Sequence, residues 1–126
     1  EGLNKIYGSE VIVSESTVAV AGKSFIFRPL DLVAVKGRKK SVRIFQLLGR
    51  ADDPKAELFK HLAQMAEKAL ESYLNRQWRE SYEQFQQILD VLPEDAAAEM
   101  YLTRCRELHD RPPGPDWDGV FRVLHK

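Results

Sequence analysis

The apolar residues of this chain follow two different periods, and the change between them lies near residue 50. Before that point, short runs rich in Val, Ile and Phe alternate with glycines and charged residues, which is typical of β-strands. After it, apolar residues recur every three or four positions, which indicates amphipathic helices. The segment 49–54, Gly-Arg-Ala-Asp-Asp-Pro, separates the two patterns. The sequence therefore predicts two units, residues 1–49 and residues 50–126.

The first unit is predicted to contain three or four short strands. The candidate runs are 10–15, 24–27, 31–36 and 41–48. The last two flank Lys-Gly-Arg-Lys-Lys at residues 36–40, where a glycine and clustered charge suit a hairpin turn with side chains in water. We expect a short antiparallel β-meander.

The second unit is predicted to contain about three helices. The first follows Asp53 and Pro54, because aspartate accepts free amide hydrogens at a helix start and proline fits the first helical position. The second begins near Trp78 and ends at Pro93, and the third covers 94 to about 109. The prolines in 111–115 exclude further helix, so 116–121 should be an extended segment whose aromatic residues dock back. The fold class is therefore α+β.

The helical pattern resembles a tetratricopeptide repeat. Residues at that repeat's small, aromatic and terminal-proline positions are Ala69, Tyr73, Trp78, Phe85, Leu89 and Pro93. Ser81 stands where the repeat usually has alanine, which is also small. Only about one and a half repeats fit, and such units normally bury their faces on neighbours. So short an array must cap itself or pack on something else.

Composition narrows the range of partners and settings. Nineteen basic residues balance nineteen acidic ones, so the overall charge gives no reason to expect nucleic acid or an anionic membrane as partner. No apolar run approaches the roughly 20 residues needed to cross a bilayer. Cys105 is the only cysteine, which excludes an intrachain disulfide and fits a reducing, cytoplasmic setting.

Three stretches of the first unit together resemble the end of the catalytic domain of bacterial class III nucleotidyl cyclases. Residues 1–8, Glu-Gly-Leu-Asn-Lys-Ile-Tyr-Gly, with 10–15 look like its closing helix and the strand after it. Residues 27–38, which end in Val-Lys-Gly-Arg, are similar to a late strand and its turn. Residues 42–48, Val-Arg-Ile-Phe-Gln-Leu-Leu, look like the last strand. The order and spacing of all three agree with that family.

The resemblance implies that the strands belong to a larger ferredoxin-like cyclase sheet. It implies a homodimeric enzyme that converts ATP to cyclic AMP and pyrophosphate with two Mg²⁺ or Mn²⁺ ions. The family's metal-binding and transition-state residues would lie upstream of residue 1. The chain alone is then expected to contain no catalytic residue and to be inactive. Many relatives carry upstream membrane-anchored sensors, so the parent protein can be membrane-bound although this segment is not. We expect ATP rather than GTP as the substrate only because bacterial members of the family commonly use ATP.

One functional position of the family falls within the chain. The resemblance implies that Lys36, in the Val-Lys-Gly turn, contacts the nucleotide triphosphate. A mobile ammonium group on a long stem suits such a contact. The alternative is an ordinary solvated turn whose charges discourage strand pairing. We favour the phosphate contact for Lys36 and the solvated turn for Arg38, Lys39 and Lys40.

Other candidates are better explained by structure than by chemistry. No histidine among His61, His109 and His125 has a partner at helical ligand spacing, so no metal site is expected. The carboxylates Asp52, Asp53, Asp116 and Asp118 lie beside proline, glycine or a helix start, which favours turn and capping roles.

The thiol of Cys105 should be packed, although the neighbouring Arg104 and Arg106 would lower its pKa if it were exposed. The aromatic residues of the helices are predicted to be core rather than the lining of a peptide groove; they are Tyr73, Trp78, Tyr82, Phe85 and Tyr101. The groove remains the basis of an alternative function, a non-enzymatic protein-interaction or dimerisation module.

Overall fold

The computed structural model describes residues 2–8, 11–35 and 40–123 and has the predicted α+β class. The elements are α1 (Gly2–Tyr7), β1 (Ile12–Ser14), α2 (Glu15–Ala21), a 3₁₀ turn (Gly22–Ser24), β2 (Phe25–Val35), β3 (Val42–Arg50), α3 (Ala56–Leu74), α4 (Trp78–Val91), α5 (Ala96–Asp110) and β4 (Phe121–Val123). Within this described part of the chain, no helix combines the length and the apolar character that a bilayer crossing requires.

The four strands form one mixed sheet in the order β1-β3-β2-β4. β3 is antiparallel to both β1 and β2, and β2 and β3 form the predicted hairpin. The C-terminal strand β4 runs parallel to β2. The extended C-terminal segment therefore docks back, as predicted, and it does so as a strand that extends the predicted antiparallel meander into a mixed sheet.

The runs 24–27 and 31–36 were predicted as separate strands, but residues 25–35 form the single strand β2. The register with β3 shifts between Ile26 and Phe27 and again between Pro29 and Asp31. Such bulges let a strand continue past a proline, which has no amide hydrogen for the ladder. The charged and proline residues between the two apolar runs thus lie within one strand.

The short helix α2 was not predicted. It begins after Ser14, whose Oγ accepts a hydrogen bond from the amide of Thr17 at 3.4 Å, and it ends at Gly22, which has a φ of 63°. Glycine is suited to this left-handed conformation because it has no Cβ. None of the α2 residues is buried, so the helix has no apolar stripe from which a period could be read.

The three long helices agree with the predicted ones, except that α3 and α5 each begin two residues later than expected. Pro54 was expected at its first position, but Asp53 and Pro54 form a turn and the helix begins at Ala56. The Asp53 Oδ1 accepts from the amide of Lys55 at 2.7 Å, so its carboxylate closes the turn instead of capping the helix. At α5, the Asp95 carboxylate is the cap and accepts from the amide of Ala98 at 3.1 Å.

Aromatic residues dominate the core between the three long helices. The rings of Phe85 and Tyr101 stack with their centroids 4.4 Å apart, and Tyr73 meets Tyr101 edge-on at 5.0 Å. Trp78 is also buried and Tyr82 is partly buried, so the predicted core role of these five residues is confirmed. Aromatic pairs in such geometries stabilise a core beyond the area they bury.

A second core lies between the sheet and helices α1 and α5. Its buried members are Tyr7, Leu30, Val33, Ile44 and Ala97. Met100 of α5 packs against this cluster and also against the helical core. Helix α5 therefore contributes to both cores and joins the strands to the helices.

The helical core gives a test of packing. Ile88 of α4 is fully buried, so Ile88→Ala should lower the free energy of unfolding by about 2–5 kcal/mol, since it leaves a cavity among the aromatic rings. Urea denaturation followed by circular dichroism measures this loss. The control is Val91→Ala at the exposed end of the same helix, where the loss should be much smaller. Equal losses at both positions would contradict the placement of Ile88.

Candidate functional site

The predicted phosphate contact, Lys36, lies outside the described residues together with 37–39. The strands on either side of it are described: β2 runs to Val35 and β3 begins at Val42. Val33 pairs with Val42 across the hairpin, and Lys40 is exposed. The two paired strands of the predicted hairpin are thus confirmed, and both the turn between them and the role of Lys36 stay predictions.

The second bulge of β2 shapes the surroundings of this hairpin. Pro29 pairs with Phe45 and Asp31 pairs with Ile44, which leaves Leu30 between them out of the ladder. The carbonyl of Leu30 instead accepts a hydrogen bond of 2.6 Å from the hydroxyl of Tyr101 in α5. Bulges commonly redirect side chains, and here consecutive residues on β2 are buried. One of them is an aspartate.

Asp31 is fully buried, and its carboxylate joins three parts of the chain. Its Oδ2 accepts from the hydroxyl of Tyr7 in α1 and from Nη1 of Arg104 in α5, both at 2.7 Å. Its Oδ1 accepts from the amide of Leu32 at 2.8 Å. A buried carboxylate is strongly unfavourable unless it is paired and hydrogen-bonded. This site meets both conditions.

The same environment moves the pKa values of its neighbours. Burial raises the pKa of Tyr7 far above its ordinary value, and the negative charge of Asp31 raises it further. Burial also raises the pKa of Tyr101 well above normal and that of Tyr73 to about 12. Burial alone would lower the pKa of Arg104, but its interactions with neighbouring groups, the largest of them with the charge of Asp31, together outweigh burial and the net pKa is raised. The tyrosines are therefore neutral and Arg104 is charged at physiological pH.

A second buried ion pair joins β2 to the start of α5. Arg28 is 3% exposed; its Nε donates to Oε1 of Gln46 on β3 at 2.6 Å, and its two terminal nitrogens donate to the carboxylate of Asp95. Such two-pronged Arg–carboxylate contacts fix orientation as well as distance. Because Asp95 also caps α5, the beginning of that helix is tied to the strand.

These buried charges hold the fold together and are not arranged as a reaction centre. All four charged groups are paired with one another, so none is left free to bind a ligand ion. Within 2–8, 11–35 and 40–123, no three histidine, cysteine, aspartate or glutamate side chains come together as metal ligands would. His61 and His109 are exposed and lie on different helices, and His125 falls outside the described residues.

Two of the remaining carboxylates have the turn roles predicted for them, and a third forms a surface ion pair instead. Asp53 and Asp118 accept amide hydrogens within their own turns, and Asp52 pairs with Arg50 at the surface. The pKa of Asp118 is lowered to about 2 by hydrogen bonds from Arg122 and from the backbone. Cys105 is buried, and burial raises the pKa of its thiol, as expected for a packed cysteine.

Sequence reasoning missed the Asp31 network. The signal available was an aspartate inside the apolar strand sequence Phe-Arg-Pro-Leu-Asp-Leu-Val-Ala-Val, since a charge in a buried strand requires a partner. The sequence did not identify that partner, because Arg104 lies 73 residues away and stood out only as a neighbour of Cys105.

Two surface cavities flank α5. One, of about 730 Å³, lies between α5 and the C-terminal segment and is lined by Tyr73, Arg104 and Trp117 among others. The second, of about 490 Å³, lies over α4 and α5 and includes Trp78 and Tyr82. Aromatic and charged side chains share the walls of both, a combination that suits binding of a mixed apolar and polar partner.

Comparison with known proteins relates the chain to an adenylate cyclase. Over 108 residues, 83% of this chain, it is 26% identical to the terminal-differentiation-specific adenylate cyclase of Dictyostelium discoideum. The chain spans 5% of that protein's length. No protein-family model and no solved structure matches the chain. Since neither 1–49 nor 50–126 is as long as the matched stretch, the similarity includes residues on both sides of residue 50.

The Asp31 pair generates a stability prediction. Asp31→Asn should lower the free energy of unfolding by about 3–5 kcal/mol, because Arg104 then keeps a largely buried charge without its counterion. Asp31→Asn combined with Arg104→Met should recover part of the loss, since no charge is left unpaired. Denaturant titrations of the three proteins measure these changes. Asp52→Asn, which breaks an exposed pair, should leave stability unchanged within error. A double variant less stable than Asp31→Asn would contradict this account.

The buried tyrosines predict alkaline unfolding. Tyr7, Tyr73 and Tyr101 have raised pKa values in the folded chain, so the unfolded chain releases these protons first. The contribution of these tyrosines to the free energy of unfolding is complete below about pH 10. Above that pH it falls by about 1.4 kcal/mol per pH unit for each tyrosine. Tyrosinate absorbance at 295 nm should therefore rise together with loss of the circular dichroism signal. Tyrosinate formed by Tyr7, Tyr73 or Tyr101 in an intact fold near pH 10 would contradict the burial of these rings.

Proposed function

We propose that this chain is the C-terminal part of the catalytic domain of a bacterial class III adenylate cyclase, followed by a helical tail that resembles a tetratricopeptide repeat. The observation that carries the proposal is the similarity to the Dictyostelium adenylate cyclase, because it continues from the strands into the helices. In the complete enzyme, ATP is converted to cyclic AMP and pyrophosphate.

The chain's own contribution to that reaction is the β2–β3 hairpin. Lys36, which follows β2 in the sequence, supplies a positive charge to the triphosphate of ATP, and β2 and β3 flank the segment that carries it. The two Mg²⁺ or Mn²⁺ ions and the groups that stabilise the transition state belong to residues outside these 126. Because this chemistry depends on those fixed charges, the chain alone has no turnover.

The tail acts on the enzyme through its packing against the sheet. Two ion pairs and the Met100 contacts join α5 to the strand that leads into the hairpin. The tail thereby adjusts the geometry of a cyclase homodimer or receives a protein partner. This assignment is supported by the similarity across residue 50 and by the buried contacts.

An interaction module without activity is the second candidate. The aromatic groove over α4 and α5, with Trp78 and Tyr82 in its wall, favours it. The two candidates differ in what precedes residue 1 in the natural protein. A cyclase requires two sheet-borne aspartates and an Asn-x-x-x-Arg stretch just before it, and the lack of both would favour the module.

Lys36 is tested in the complete enzyme. Lys36→Ala should lower turnover at limiting ATP by about ten-fold, since one charge-assisted contact of roughly 1.5 kcal/mol or more is lost. At saturating ATP the fall should be smaller, because a contact present before and during the reaction affects mainly KM. Cyclic AMP production at several ATP concentrations measures both. Lys40→Ala is the matched control, since Lys40 belongs to the same turn and is expected only to be solvated. Identical kinetics for Lys36→Ala and the unaltered enzyme would remove Lys36 from the site.

A further inference from the structure

Residues 112–123, here called the C-terminal strap, connect the end of α5 to the edge of the sheet. After α5 ends at Asp110, the strap forms no further helix, passes the short link between α3 and α4, and ends as β4. It lies across the helices much as a bound peptide would. The residues that receive its first half belong to one short segment and are here called the strap seat: Tyr73, Leu74, Arg76 and Trp78.

Arg76 binds the backbone of the strap. This residue lies between α3 and α4 and has a left-handed backbone with φ 63°. Its Nη1 donates to the carbonyl of Pro113 at 3.2 Å, and its Nη2 donates to the carbonyls of Gly114 and Trp117 at 2.7 and 3.4 Å. Its guanidinium also lies over the Trp117 ring, 5.4 Å from the centroid. One side chain thus satisfies three strap carbonyls.

Trp117 and Gly119 make the fit of the strap specific to its sequence. The Trp117 ring meets Tyr73 and Trp78 edge-on, with centroids 5.5 and 5.1 Å apart. Gly119 is buried with φ 75°, and a Cβ there would collide with the side chain of Leu74. Glycine alone adopts this conformation freely, because it has no Cβ. The seat therefore accepts a tryptophan that is followed two residues later by a glycine.

The link that joins the strap to α5 is short and exposed. It consists of Arg111, whose amide donates to the carbonyl of Glu107 and so completes α5, and of Pro112. The hydrogen bonds of the strap to the seat begin at the next residue, Pro113. These contacts therefore do not require that the strap and the seat belong to the same chain. When two copies exchange an identical segment, the same contacts form again, which makes exchange a low-cost route to a dimer.

We infer that the strap seat is a docking site for the strap of a second copy of this chain, so that two copies exchange straps and form a dimer. The occupant is identified by fit, because the strap supplies the carbonyls, the tryptophan and the glycine that the seat receives. Strand β4 adds to the docking, since it pairs with Val33–Val35 of β2 and strand addition at a sheet edge is a common way for one chain to bind another. The inference goes beyond the proposed function and does not depend on it.

Concentration decides whether a strap binds its own seat or that of a second copy. A segment tethered by a short link has an effective concentration on the order of mM at its site, so a second copy must approach that concentration to compete. Dilute chains are therefore closed monomers. Exchange becomes competitive when the chain is concentrated, or when two copies are held side by side.

The first test asks whether the seat binds the strap as a separate molecule. The acceptor is the 126-residue chain with Trp117→Ala and Gly119→Val, whose own strap lacks the ring and carries a side chain that collides with Leu74. The probe is a fluorescein-labelled synthetic peptide with the sequence of residues 111–123. We expect saturable binding by fluorescence polarisation. Binding to the unaltered chain should be at least about ten-fold weaker, because its own strap competes.

Matched changes in the peptide and in the acceptor test the contacts. The peptide with Trp117→Ala should bind at least about ten-fold more weakly, whereas Asp116→Asn, at an exposed position, should bind like the parent peptide. Arg76→Asn in the acceptor keeps a residue that tolerates the left-handed backbone and should weaken binding about ten-fold. Circular dichroism checks that each acceptor keeps its helices. A folded acceptor that binds no peptide, or that binds the Trp117→Ala peptide equally well, overturns the inference.

The second test uses the unaltered chain and so does not depend on the folding of the double variant. Light scattering is measured between about 10 µM and about 1 mM, a range that reaches the effective concentration of a tethered strap. We expect the mean mass to rise from that of the 14.5 kDa monomer towards twice this value, and the Trp117→Ala chain to remain monomeric. A strict monomer throughout the range overturns the inference, as does equal dimerisation of the Trp117→Ala chain. Neither result bears on cyclic AMP production, so the proposed function is tested separately.

Discussion

The buried carboxylate of Asp31 is the constraint on which the rest of the structure depends. An ionised group in an apolar strand is tolerated only with partners, and Asp31 takes them from opposite ends of the chain, Tyr7 in α1 and Arg104 in α5. Neither partner lies near it in sequence. The sheet and the last helix must therefore be assembled together before the charge is compensated, which links the folding of the strands to that of the helices.

The features that follow from local periodicity were predictable from the sequence. The three long helices have apolar residues every three or four positions, and the hairpin has two apolar runs around a charged turn. The aromatic core could be predicted for the same reason. Helix α2 could not be predicted, because none of its residues is buried and it has no apolar stripe. Strand β4 could not be predicted either, because three residues are too few to show a hydrophobic period. The end of α2 depends on the glycine that follows it, and the position of β4 depends on docking against residues that are distant in the sequence.

The candidate site was predictable in a different way. Charge and glycine in 36–40 indicate only a solvated turn, and the phosphate contact of Lys36 comes from the resemblance to cyclases rather than from the residues themselves. The groups that support the hairpin could not be identified from the sequence, because no single one of them differs from an ordinary charged residue. Arg28, Asp95 and Arg104 are common residue types whose importance appears only when the fold places each beside an opposite charge away from water.

Strand β2 is held by the C-terminal half of the chain at three successive places. Arg28 is bound by the cap of α5, Asp31 by Arg104 further along that helix, and Val33–Val35 by β4. These contacts cover seven steps along the strand, roughly 23 Å at the usual rise per residue. A shift of α5 or of β4 would therefore move the whole strand rather than one point on it. Because close-packed interiors transmit such shifts, the tail is mechanically coupled to the hairpin at the strand's end.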